Sequence, residues 1–128
     1  MKTSWVEICV SDLEKSIRWF SDVLGFQAIS QDEHFAGLRR GETSILLGTD
    51  DGPYWQPEIS RLPQPGYRGL GVEIVLLVEG IEDVYAQAAR AGAEIVRPLE
   101  TWPWNLKQFW VRHPDGYLIR PAQRITAQ

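Results

Sequence analysis

The sequence predicts an α+β fold built from two βαβββ modules, and three observations carry that prediction. Residues 10–26 read as the end of a strand, a capped amphipathic helix and a glycine stop before a second strand. A fainter copy follows about 68 residues later, over residues 78–93. In both copies the helix is followed by three strand-like runs.

Taken in order, residues 5–10 alternate in character. Val6, Ile8 and Val10 form a branched aliphatic face suited to a helix layer, while Trp5, Glu7 and Cys9 form a mixed face suited to a ligand. Ser11 and Asp12 supply an N-cap, and Leu13, Ile17, Phe20 and Leu24 form the buried stripe of a helix. Gly25 ends it, because only glycine takes a positive φ without strain. Strands are expected at 26–30, 35–40 and 43–48, with a hairpin turn at Gly41 and Glu42. Residues 50–71 are rich in proline and glycine and read as a linker that packs over something, given its Tyr54, Trp55 and Tyr67. The second copy has a strand at 72–78, broken by one charge, Glu73, and a helix at 81–91 stopped by Gly92. Strands at 93–97, 108–112 and 117–120 follow, with a loop over 98–107 and a tight turn at 113–116. Module one thus covers about 4–49, the linker about 50–71 and module two about 72–121, within a single domain of residues 1–128.

A chain of 128 residues with 44% hydrophobic and 23% charged residues has the composition of a globular protein. A net charge of −4 argues against nucleic acid, since phosphate contacts need clustered Lys and Arg. The one cysteine, Cys9, excludes an intrachain disulfide. No apolar run is long enough for a membrane span, and the first residues lack a signal-peptide core, so a cytoplasmic protein is expected. Six tryptophans are more than a core of this size requires. Trp is favoured where an apolar surface meets a ligand, and the pair Trp102 and Trp104 in one loop fits that use.

Three motifs, Val10-Ser11-Asp12-Leu13-Glu14-Lys15-Ser16-Ile17-Arg18-Trp19-Phe20, Leu24-Gly25-Phe26 and the turn His113-Pro114-Asp115-Gly116, carry a likeness. With them the chain resembles the vicinal oxygen chelate superfamily, which includes glyoxalase I, fosfomycin-resistance proteins, extradiol dioxygenases and bleomycin-resistance proteins. The resemblance implies that the two modules form a cup-shaped mixed sheet around a shared site. It is informative for fold and much less so for activity. Four positions hold a metal in the enzymes of that superfamily. Their counterparts here are Trp5, Leu46 or Leu47, Glu73 and Arg120, of which only Glu73 is a possible metal ligand. The remaining candidates for an atypical metal site are Glu7, His34 and His113.

Residues 33–47 and 102–116 are similar to the metal-free bleomycin-resistance branch, which sequesters flat, cationic antibiotics in tryptophan-lined grooves at a dimer interface. The resemblance therefore implies a metal-independent small-molecule binding protein without cofactor or catalytic residue. Its partners would be a planar or cationic antibiotic and a second copy of the chain, with no nucleic acid and no membrane. The expected lining is Trp5, Glu7, Cys9, Leu47, Trp55, Glu73, Trp102, Trp104, Trp110 and Arg120. Glu7 and Glu73 would pair with a ligand amine, or else Glu73 and Arg120 would neutralise each other. The alternatives are a glyoxalase-type lyase, isomerase or dioxygenase holding a divalent metal, and an accessory module that uses the fold to bind a partner.

Overall fold

The computed structural model describes residues 4–52 and 62–125. Module one runs β1 (Val6–Val10), α1 (Leu13–Leu24), β2 (Gln27–Gln31), β3 (Phe35–Arg40) and β4 (Thr43–Thr49). Module two runs β5 (Glu73–Leu77), α2 (Ile81–Arg90), β6 (Glu94–Trp102), β7 (Leu106–Arg112) and β8 (Leu118–Arg124). Each module makes its own mixed four-stranded sheet, ordered β1-β4-β3-β2 and β5-β8-β7-β6. The first strand of each lies parallel to the last, because the intervening helix carries the chain back across the sheet.

The local signals explain the helices. Asp12 is extended and its carboxylate accepts the Lys15 N–H at 3.0 Å, while Gly25 turns left-handed at φ 73°. Gly80 offers α2 no side-chain cap. The Ile81 N–H is instead taken by Gln123 Oε1 from β8 at 2.8 Å, a bond that no local pattern announces. Phe20, Val23 and Leu24 of α1 join Ile81 and Ala88 of α2, Phe109, Val111 and Ile119 in one core. Each helix covers one face of its own sheet and the two helices meet each other. The opposite face of each sheet is left open.

The second half departs from the expected elements in one useful way. The loop foreseen at 98–107 is mostly strand: β6 continues to Trp102 and turns over Pro103 to Asn105 into β7. Asn105 sits at φ 64° and its N–H donates to the Trp102 carbonyl at 3.1 Å. Asn tolerates the left-handed region better than most residues, so it closes a tight turn where glycine would also fit.

The modules are latched together by a buried polar group where the linker re-enters. Arg68, 3% exposed, grips the Asp50 carboxylate with both terminal nitrogens, at 2.7 and 2.8 Å, and donates to the Cys9 and Pro63 carbonyls. The two ends of the linker are therefore tied by one bidentate ion pair. Asp115 accepts the Ser11 N–H at 2.7 Å and the Ser11 hydroxyl at 2.6 Å. Its own carbonyl takes the N–H groups of Gly66 and Arg68. Gly116 beside it has φ 111°, and a Cβ there would stand 2.6 Å from the Arg68 nitrogen, so only glycine fits this turn. Tyr67, expected to pack, is instead exposed.

His113 completes the latch. The Asp115 N–H donates to its Nδ1 at 3.0 Å, so the ring proton lies on Nε2, which donates to the Ser16 hydroxyl at 3.0 Å. The ring is enclosed by Trp19, Phe20 and Tyr117. Burial pulls its pKa down to about 4, so it is neutral at physiological pH.

Candidate ligand-binding face

The open face of the second sheet carries a contiguous group of aromatic and charged side chains. Strand alternation and register put it together: Val75 pairs with Arg120, Arg97 with Trp110, and Trp102 with Leu106. Glu73 lies one step up β5 on the same face. Trp102 stacks on Trp104 with centroids 5.1 Å apart and meets Trp110 edge-on at 5.4 Å. The Arg97 guanidinium lies 4.8 Å from the Trp102 ring and 5.9 Å from Trp110, and Arg120 lies 5.7 Å from Trp110.

Glu73 is engaged at both oxygens. Arg120 Nε donates to Oε1 at 2.6 Å and the Trp110 indole N–H donates to Oε2 at 3.1 Å. Of the two roles foreseen for Glu73, neutralisation by Arg120 is the one observed. Gln108, fully buried, accepts from Arg120 Nη1 at 2.7 Å and more weakly from the Trp104 indole at 3.4 Å.

The expected lining divides. Glu73, Trp102, Trp104, Trp110 and Arg120 come together on the second sheet. Glu7 lies on the open face of the first sheet, and Trp5, just before β1, is largely exposed. Trp55 lies outside the described residues. Two residues require correction. Leu47 is fully buried in the helix-side core beside Ile8, and its neighbour Leu46, in register with Glu7, takes the open face. One residue of offset inverts the facing of a strand residue. Cys9 shares the phase of Glu7 but is 2% exposed beneath the latch, with its thiol 3.3 Å from Asp50. Burial first, then Asp50, pushes its pKa up to about 12, so it is neither a lining nor a nucleophilic group. Asp50 itself is held below the usual carboxylate range by Arg68.

Arg97 and Gln108 belong to the face and were missed. Counting back by two from Trp110 finds Gln108, and pairing the two strands as a hairpin sets Arg97 across from Trp110. The missing signal was the hairpin register, concealed by reading residues 98–107 as loop.

Among the described residues, the side chains at the positions that the resemblance implies for a metal do not fit a divalent ion. At the four positions where the metal enzymes carry ligands, Trp5, Leu46 and Arg120 offer no donor to a cation, and Glu73 is bonded twice within the protein. Among the described residues no three His, Cys, Asp or Glu side chains converge. His34 lies 3.1 Å from the Thr49 hydroxyl and near Glu33 and Asp51, away from the second sheet, and both nitrogens of His113 are used in the latch. Nor is any helix among the described residues long and apolar enough to cross a membrane.

Comparison with known proteins agrees with this architecture. The chain is 31% identical to the virulence protein STM3117 of Salmonella typhimurium, over 92% of this chain and 81% of that one. It is 28% identical to a bleomycin resistance protein of Geobacillus stearothermophilus, over 92% of this chain and 93% of that one. The crystal structure of TioX from Micromonospora sp. ML1 superposes with a TM-score of 0.79 at 22% identity, covering 97% of this chain and all of that one, and so shares the fold. The model of the Glyoxalase/Bleomycin resistance protein/Dioxygenase superfamily matches residues 2–120, and the chain belongs to that superfamily.

Proposed function

We propose that this chain is a metal-independent binding protein that sequesters a planar aromatic small molecule of antibiotic type. The observation that carries the reading is the second sheet's open face. Three tryptophans are gathered there around a Glu73 whose two oxygens are already bonded. Aromatic faces offer large apolar area at low entropy cost, which suits flat ligands. A relative named bleomycin resistance protein supports a small molecule as the ligand. No catalytic group and no cofactor enter this reading.

The working unit is a homodimer. β1 and β5 lie at the edges of their sheets, and β5 and the residue before it expose Val72, Val75 and Leu77. A cleft of about 430 Å³ runs along this edge, lined by Val72, Glu73, Arg112 and Leu118 among others. A second copy laid there would cover the apolar edge and set the first sheet's Trp5, Glu7 and Leu46 opposite the partner's tryptophan face, completing a cup. The protein acts in the cytoplasm, where its single thiol stays reduced.

Titration of tryptophan fluorescence with a panel of planar antibiotics tests the binding. Saturable quenching at one ligand per cup, unchanged by a chelator, is the expected result. Absence of quenching across the panel, or stoichiometric metal whose removal abolishes an activity, would overturn it. Light scattering should give twice the chain mass of 14.6 kDa.

A further inference from the structure

Two buried donors on the binding face have no acceptor, and that bears on the ligand's charge. Gln108 is completely buried, and its amide oxygen faces Arg120 Nη1 and the Trp104 indole. Neither partner can accept a hydrogen bond, so the amide cannot be turned round without setting donor against donor. Its NH₂ group is therefore committed to the other side, where it has no partner. The Trp102 indole N–H, which can only donate, is likewise buried without a partner. Buried polar groups are almost always paired in folded proteins, and two orphan donors on one binding face call for an explanation.

The charges point the same way. Arg97 lies against Trp102, and its ion pair with Glu100 is long, at 3.9 Å. Trp110 has two guanidiniums near its ring, those of Arg97 and Arg120. On this sheet Glu73 already accepts a hydrogen bond at both oxygens, and Glu100, across from Gln108, faces Arg97. A cationic ligand would meet aromatic rings that already carry cations and carboxylates that each already face an arginine. An oxygen acceptor would meet two unpaired N–H groups and a loosely held guanidinium.

Building on the binding reading above, we infer that the ligand is a planar molecule bearing a carboxylate or comparable anionic oxygen group, received by Gln108 Nε2, Trp102 Nε1 and Arg97. Of the planar or cationic ligand expected from the sequence, the planar part is kept and the charge is replaced. Trp104, about half exposed, stacks on Trp102 and donates to Gln108 Oε1, and in this inference its movement admits the ligand.

Calorimetry with three probes of one shape tests the inference: 2-naphthoate, its methyl ester and 2-naphthylmethylammonium. The naphthoate should bind at least about tenfold tighter than the ammonium, a margin fitting hydrogen bonds to charged groups. Gln108→Leu and Arg97→Gln should each shrink that advantage severalfold, weakening the naphthoate more than the ester. Arg97 is largely exposed, so its variant decides the matter should the buried Gln108 variant fail to fold. Equal or tighter binding of the ammonium would overturn the anionic ligand and leave the binding reading standing. If none of the three binds the folded protein, the binding reading falls and this inference falls with it.

Discussion

Two polar groups in this molecule resemble each other in composition and differ in completeness. The latch joins Arg68, Asp50, Asp115, Ser11 and His113 at the module junction. The open face of the second sheet joins Arg120, Glu73, Gln108, Arg97 and three tryptophans. In the latch the guanidinium has both an ion pair and carbonyl partners, and both histidine nitrogens are paired. On the open face two buried donors have nothing to donate to. A closed network of buried polar groups holds elements in register, whereas an incomplete one stores unmet bonding capacity that a ligand can use. The latch is thus a closed structural network, and the open face is the one that the proposed binding reading assigns to a ligand.

Breaking the latch should have the largest effect. Arg68→Met removes the ion-pair partner of Asp50 and the guanidinium near Asp115, and should cost about 3 kcal/mol of unfolding free energy, read by chemical denaturation. Probe affinity of the remaining folded protein should be unchanged. A loss of affinity as large as the loss of stability would erase the distinction between the two groups.

Acid should weaken the latch in a defined window. His113 titrates near 4 in the folded chain against 6.5 ordinarily, so between these values the unfolded chain binds more protons. Its contribution is complete above pH 6.5 and is lost as pH falls towards 4, by on the order of 3 kcal/mol. Asp50, held low by Arg68, keeps its contribution until pH drops below the ordinary carboxylate value of 3.8. His113→Leu should flatten the upper part of the stability–pH curve and leave the lower part intact.

The smallest effect on stability should come from the open face. Glu73→Gln removes one partner of a partly exposed pair and should change stability by less than about 1 kcal/mol. It frees Arg120, and calorimetry should show 2-naphthoate binding severalfold tighter. A marked loss of stability would assign Glu73 and Arg120 to the scaffold.

Much of the fold was legible because its signals are local. The N-cap at Asp12, the glycine at 25 and the apolar stripe of α1 each act within a few residues, and they lie where the sequence implied. The copy of the motif was likewise enough to reveal two modules. The candidate site was half legible. Glu73, Trp102, Trp104, Trp110 and Arg120 were all singled out and do lie together, since strand alternation is readable wherever a strand is recognised. Leu47 and Cys9 failed for different reasons. The first turned on a one-residue phase, and the second on a latch arriving from residue 68 that covers an otherwise open strand end.

From the sequence alone come the element order, the internal repeat, the scarcity of metal ligands and the abundance of tryptophan, because composition and periodicity are properties of neighbouring residues. The tertiary structure decided the bonds that cross long separations. It paired Arg68 with Asp50, capped α2 from β8, locked Glu73 to Arg120 and left Gln108 with an unused donor. Those outcomes depend on how strands register and how modules dock, which no local window of the chain contains.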